Sequence, residues 1–127
     1  MAERVLVVDD EEDFLASIVK RLELRGIEVD GVADGASALA LLERKPVDVV
    51  VLDIKMPGMD GIEALRHIRS RYPDIEVIVL TGHASQEFRR LGRELGAFDY
   101  LIKPVRLDTV LDRIRAACRR RRGGECT

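Results

Sequence analysis

Five short apolar runs recur along the chain: Val5-Leu6-Val7-Val8, Ile27 to Val32, Val47 to Leu52, Val77 to Leu80 and Tyr100 to Ile102. The first, third and fourth are almost unbroken Val, Ile and Leu, the pattern of parallel strands covered by helices on both faces. The second alternates with Glu28 and Asp30 and reads as an edge strand. Helical periodicity fills the intervals. Phe14, Leu15, Ile18, Val19 and Leu22 make one stripe, closed by Gly26. Ala38, Leu39, Leu41 and Leu42 make a second, ended at Lys45-Pro46 because the residue before a proline avoids the helical region. Asp60, with Glu63 three residues on, reads as the cap of a third helix through Ile62, Leu65 and Ile68. Ser85 caps a fourth carrying Phe88, Leu91 and Leu95, and Leu107, Val110, Leu111 and Ile114 mark a fifth that ends near Arg122. Asp34-Gly35 reads as a turn.

Strands alternating with helices predict an α/β fold, a flavodoxin-like doubly wound parallel sheet of five strands with five helices. The edge character of the second run selects the strand order 2-1-3-4-5. With 127 residues there is room for one core, and we expect a domain over 1–122 and a flexible tail over 123–127 that begins at Gly123-Gly124.

A hydrophobic share of 46% and a charged share of 35% fit a globular domain, and a net charge of -2 offers no global attraction to nucleic acid or anionic membrane. No apolar run approaches the roughly 20 residues that span a bilayer, and the start, Met1-Ala2-Glu3-Arg4, lacks the pattern of a signal peptide, so a cytoplasmic location is expected. Cys118 and Cys126 have no partners at metal-ligand spacing and read as reduced thiols.

Ligands of such sheets bind beyond the carboxyl ends of the strands, where this chain places Asp9-Asp10, Asp53, Thr81 and Lys103. The first and third strands flank the point where the strand order reverses, so Asp9, Asp10 and Asp53 should share one crevice. Like charges held that close raise one another's pKa unless a cation intervenes, and an all-oxygen cluster selects a hard ion such as Mg2+. Lys103 supplies a point charge suited to a phosphate oxygen and Thr81 a hydroxyl. Asp53 is then the nucleophile, since a carboxylate can carry a covalent phosphoryl group.

The segments Val7-Val8-Asp9-Asp10-Glu11, Val51-Leu52-Asp53-Ile54-Lys55-Met56-Pro57-Gly58-Met59-Asp60-Gly61, Leu80-Thr81-Gly82 and Lys103-Pro104 resemble the receiver domains of two-component response regulators, from about Arg4 to Arg119. Singly these motifs are weak; in this order, at successive strand ends, they are highly specific. The resemblance implies a phosphoacceptor switch that processes no external substrate, with Asp53 phosphorylated by a sensor histidine kinase or phosphotransfer protein. It implies Mg2+ held by Asp10, Asp53 and the backbone carbonyl of Lys55, with Asp9 acting mainly through a bound water. Thr81 and Lys103 would contact the phosphoryl group, Tyr100 would be the switch aromatic, and Lys103-Pro104 would be cis. Output is expected on the face of the fourth helix, fifth strand and fifth helix, towards a downstream partner or output domain.

Plainer readings weigh against each residue alone. Asp9 and Asp10 with Glu11 and Glu12 could decorate a helix N-terminus, Asp53 could form a turn, and Lys103 could be a solvated loop lysine. Their joint occurrence decides against this. His67 reads as a surface residue and His83 as solvent-exposed or locally hydrogen-bonded, neither with a catalytic role, and Arg119 to Arg122 as a solvated helix end or the start of a linker, too few to bind nucleic acid. A phosphohydrolase of the haloacid-dehalogenase type would need an aspartate where Lys55 stands, and its nucleophile after the first strand. A flavin binder would not place acid pairs where a phosphate must sit.

Overall fold

The computed structural model describes residues 3–54, 61–82 and 85–121. Five parallel strands, β1 (Arg4–Val8), β2 (Glu28–Val32), β3 (Val49–Leu52), β4 (Glu76–Thr81) and β5 (Asp99–Ile102), form one sheet in the order β2-β1-β3-β4-β5. Five helices alternate with them: α1 (Glu12–Leu24), α2 (Gly35–Arg44), α3 (Gly61–Arg71), α4 (Gln86–Glu94) and α5 (Leu107–Arg121). The expected strand order and edge strand are both observed.

Strand alternation divides the apolar residues between two cores. Val5 and Val7 of β1, Val49 and Val51 of β3, and Ile78 and Leu80 of β4 pack with Ile18 and Leu22 of α1 and with Val110, Leu111 and Ile114 of α5. Leu6, Val8, Val50, Leu52, Val77 and Val79 face the other way, onto Ala38 and Leu42 of α2 and Ala64, Leu65 and Ile68 of α3. Both faces are covered, which is why these strands carry no alternation. Cys118 is buried in the first of these cores, and Cys126 lies outside the described residues.

Helix ends follow the local chemistry, with one departure. Gly26, at φ 85°, makes the turn after α1, and Lys45 leaves α2 in an extended conformation ahead of Pro46. Ser85 accepts from the Phe88 N–H at 3.1 Å, as expected of a cap. Asp34, by contrast, is not a turn residue but the N-cap of α2, accepting from Ser37 N–H at 2.7 Å. Turn and cap use the same side-chain acceptor, so the dipeptide alone did not separate them. Asp60, the expected cap of α3, lies outside the described residues, as do Arg122, where the fifth helix was expected to end, and the tail.

The hydrogen bonds from Ser37 hold the Asp34 carboxyl below the usual carboxylate range. A group whose pKa is lowered by folding contributes stability above its unfolded pKa, and the contribution is lost as pH falls through the folded value. Asp34→Ala should therefore lower Tm at neutral pH, and the gap from wild type should narrow at the acid edge of the folded range. Melting curves at both pH values check this, and an equal gap at both would rule out a charge-based cap.

Candidate functional site

The backbone ladder of the sheet delivers the chemistry-bearing residues one step beyond its strands. Asp9 N–H bonds to the Val32 carbonyl at 3.1 Å, Asp53 N–H to the Val8 carbonyl at 2.9 Å, and Lys103 N–H to the Thr81 carbonyl at 2.8 Å. Each residue is thus held in register with a neighbouring strand, so the carboxyl ends of β1, β3, β4 and β5 open onto one site. The Lys103-Pro104 peptide is cis, as expected.

Asp9, Asp10 and Asp53 converge as the strand order requires: one carboxylate oxygen from each lies within 4.8 Å of the others. Asp9 and Asp53 are buried and Asp10 is exposed. Burial pushes the Asp9 carboxyl up, against the opposing pull of Lys103 and of the Glu11 N–H, which donates to it at 2.9 Å. Three carboxylates at this spacing, all hard oxygen donors, fit a divalent cation such as Mg2+. Lys55, whose carbonyl was expected to join them, lies outside the described residues.

Thr81, fully buried at the end of β4, donates its hydroxyl to Asp53 Oδ1 at 2.8 Å. Lys103 reaches Asp53 less closely, with Nζ 3.6 Å from Oδ2. Its nearer partners are Asp9 Oδ2 at 2.7 Å and Glu11 Oε1 at 2.8 Å, and the ring of Phe14 lies 4.2 Å beneath the ammonium. Burial draws the Lys103 pKa down, but the hydrogen bonds to Asp9 and Glu11 outweigh it and the net shift is upward. The same bond lowers the Glu11 carboxyl. Glu11 and Phe14 carry no site role in the sequence reading, which places them at the start and on the apolar stripe of the first helix. Nothing local announces their contact with a lysine 92 residues from Glu11.

Tyr100, on β5, is half-buried against the α2–α3 core, onto which Phe88 and Leu95 also pack. It packs on Gly92 of α4, where a Cβ would lie 3.3 Å from its ring, and the Arg89 guanidinium sits 5.8 Å from the ring centroid. Burial raises its phenol pKa, Arg89 lowers it in part, and the charge of Asp53 raises it. The aromatic thus packs on α4 at Gly92 and Arg89. His67 is exposed on α3, and His83 lies outside the described residues.

Similarity to known proteins agrees with this geometry. Residues 5–115 match the family model of the response regulator receiver domain. The transcriptional regulatory protein PrrA of Mycobacterium tuberculosis (strain ATCC 25618 / H37Rv) is 44% identical over 118 residues, which cover 93% of this chain and 51% of PrrA. The chain thus spans about half the length of the curated relatives it matches. Among solved structures, a CheY-like receiver domain protein from Methanospirillum hungatei JF-1 superposes with a TM-score of 0.92 at 32% identity, covering 97% of this chain and 98% of that one. A receiver domain protein from Clostridium thermocellum gives 0.88 at 36% identity, covering 96% and 98%. Among the described residues no helix is long and apolar enough to cross a membrane. Matched over most of its length by sequence and by fold, with its acidic, hydroxyl and lysine side chains gathered at the strand ends, the chain belongs to the family of response regulator receiver domains.

Proposed function

We propose that this chain is a cytoplasmic phosphorylation switch in which Asp53 accepts a phosphoryl group from a sensor histidine kinase or phosphotransfer protein, and that the face of α4, β5 and α5 reports it to a downstream partner or output domain. Residues 1–122 form the switch and 123–127 a tail, and neither nucleic acid nor membrane is among the partners this reading assigns to the chain. The observation that carries it is the convergence on the Asp53 carboxylate of a hydroxyl at 2.8 Å and an ammonium at 3.6 Å from two other strand ends.

In the transfer, an Asp53 oxygen forms the bond to phosphorus while the bond from phosphorus to the donor breaks, and the donor leaves with that electron pair. Lys103 offsets charge on the phosphoryl oxygens and Thr81 offers them its O–H. Asp9, Asp10 and Asp53, with the Lys55 carbonyl, are the groups that would hold Mg2+, which when bound supplies further positive charge for the phosphoryl oxygens. The role is regulatory, since the phosphoryl group stays on the chain until it is hydrolysed and no external substrate is turned into a released product. Asp10→Asn should weaken Mg2+ binding on the order of tenfold by removing ligand charge, with the fold intact. Calorimetric titration reads this, and an unchanged affinity would count against the metal site.

Output starts at Thr81. Its hydroxyl leaves Asp53 Oδ1 for the new phosphoryl oxygen, and Tyr100 moves into the space behind it, reshaping a surface that includes Arg89, Arg90 and Arg93. A charge-assisted bond contributes about 1.5 to 3 kcal/mol, enough to shift a two-state equilibrium by one to two orders of magnitude. The test adds beryllofluoride, a phosphoryl mimic, with Mg2+ and follows amide chemical shifts over residues 85–118. Wild type should shift there, while Thr81→Ala should bind the mimic and shift little. Equal shifts in both, or none in either, would show that output leaves by another route.

A further inference from the structure

Lys103 holds Asp53 more loosely than it holds its other two carboxylate partners. The ammonium lies 3.6 Å from Asp53 but 2.7 Å from Asp9 and 2.8 Å from Glu11, with the Phe14 ring beneath it. Its two close partners differ in how readily they can let go. The Asp9 side chain is 2% exposed and held by the Glu11 N–H, whereas the Glu11 side chain is 63% exposed. Releasing Glu11 returns a carboxylate to water; releasing Asp9 would leave one buried without its cation.

Glu11 also has somewhere else to go. It occupies the N-cap position of α1, with its carbonyl accepting from Leu15 N–H at 2.9 Å, yet its side chain caps no helix N–H. The carboxylate that would ordinarily satisfy the first turn of α1 is on Lys103 instead. Once released, it faces the unpaired donors and positive dipole end of that helix, which lowers the cost of release.

We propose that Glu11 is a releasable latch on Lys103, keeping the ammonium from closer contact with Asp53 in the unphosphorylated chain and yielding it when an anionic phosphoryl group arrives there. This rests on the reading of Asp53 as phosphoacceptor. The exchange favours phosphate because a phosphoryl group carries about -1.5 to -2 charge at neutral pH against the single charge of Glu11. Glu11 is a positioning residue, since it touches Lys103 and not the reacting atoms, and it sets how much of the Lys103 interaction is spent before phosphate binds.

The experiment titrates beryllofluoride at saturating Mg2+ into wild type, Glu11→Gln and Glu12→Gln, read by amide shifts, with Mg2+ affinity and Tm measured alongside. Glu12 is the charge control, an exposed carboxylate one residue on with no ion pair to Lys103. Glu11→Gln should bind the mimic about two- to fivefold tighter, the factor expected from removing one largely exposed charge-assisted bond. Mg2+ affinity and Tm should stay near wild type, as they would not if Glu11 mattered only to the fold. Unchanged or weaker binding by Glu11→Gln overturns the latch, as does an equal gain in Glu12→Gln, which would reduce the effect to net charge. Failure of wild type itself to bind the mimic overturns the phosphoacceptor reading, and the latch with it.

Discussion

Incubated with Mg2+ and a small phosphodonor such as acetyl phosphate, the protein is expected to take up one phosphoryl group, and its Asp53→Asn variant none. Asp53 directly follows the central strand β3, with Asp9 and Asp10 beside it, Thr81 Oγ1 at 2.8 Å and Lys103 Nζ at 3.6 Å. Asp9 shares the crevice but is tied to Lys103 at 2.7 Å, and Asp10 faces solvent. An amide keeps the shape of the aspartate while losing the anionic oxygen that attacks phosphorus, so the variant should fold and stay unlabelled. The wild-type label should be lost in base and in hydroxylamine, as acyl phosphates are. Intact-mass spectra of both proteins give the answer, and stoichiometric labelling of Asp53→Asn would move the acceptor to another residue.

The second large effect is structural and comes from a single missing side chain. A Cβ at Gly61 would lie 2.1 Å from the Ile54 Cα and 2.3 Å from the Asp53 carbonyl oxygen. The first residue of α3 sits directly on the segment that carries the phosphoacceptor, and Gly61 N–H bonds to the Ile54 carbonyl at 3.0 Å. Backbone atoms cannot swing aside as a flexible side chain does, so α3 or the Asp53–Ile54 segment must shift. Overpacking of this severity costs about 3 kcal/mol or more, a large part of the roughly 5 to 15 kcal/mol that holds a domain folded. Gly61→Ala should lower the urea midpoint accordingly, and whatever fraction stays folded should label poorly because Asp53 has moved. A variant within about 1 kcal/mol of wild type would show that the contact relaxes without cost.

How much of this was legible beforehand varies from residue to residue. Asp53, Thr81 and Lys103 could be found because each follows an apolar run, and the end of a buried strand is marked in the chain itself. Asp9 and Asp10 stood out for the same reason, and the edge character of β2 carried the strand order with it. Asp34 was misread as a turn because an isolated acceptor before a glycine looks the same in either setting.

Hydrophobic periodicity and strand ends are local properties, so the sequence by itself determined the order of elements, the two-faced core and the presence at the site of Asp9, Asp10, Asp53, Thr81 and Lys103. Contacts between distant segments depend on how those elements pack. Only the tertiary structure decided that Lys103 rests more closely on Asp9 and Glu11, 94 and 92 residues away, than on Asp53. Only packing shows, too, that Gly61 is required by the approach of α3 to the Asp53 backbone, not by its own conformation, and that the aromatic ring of Tyr100 leans on Gly92. In each case the contact depends on distances at the scale of an ångström between segments far apart in the chain, and no spacing along the chain encodes distances that fine.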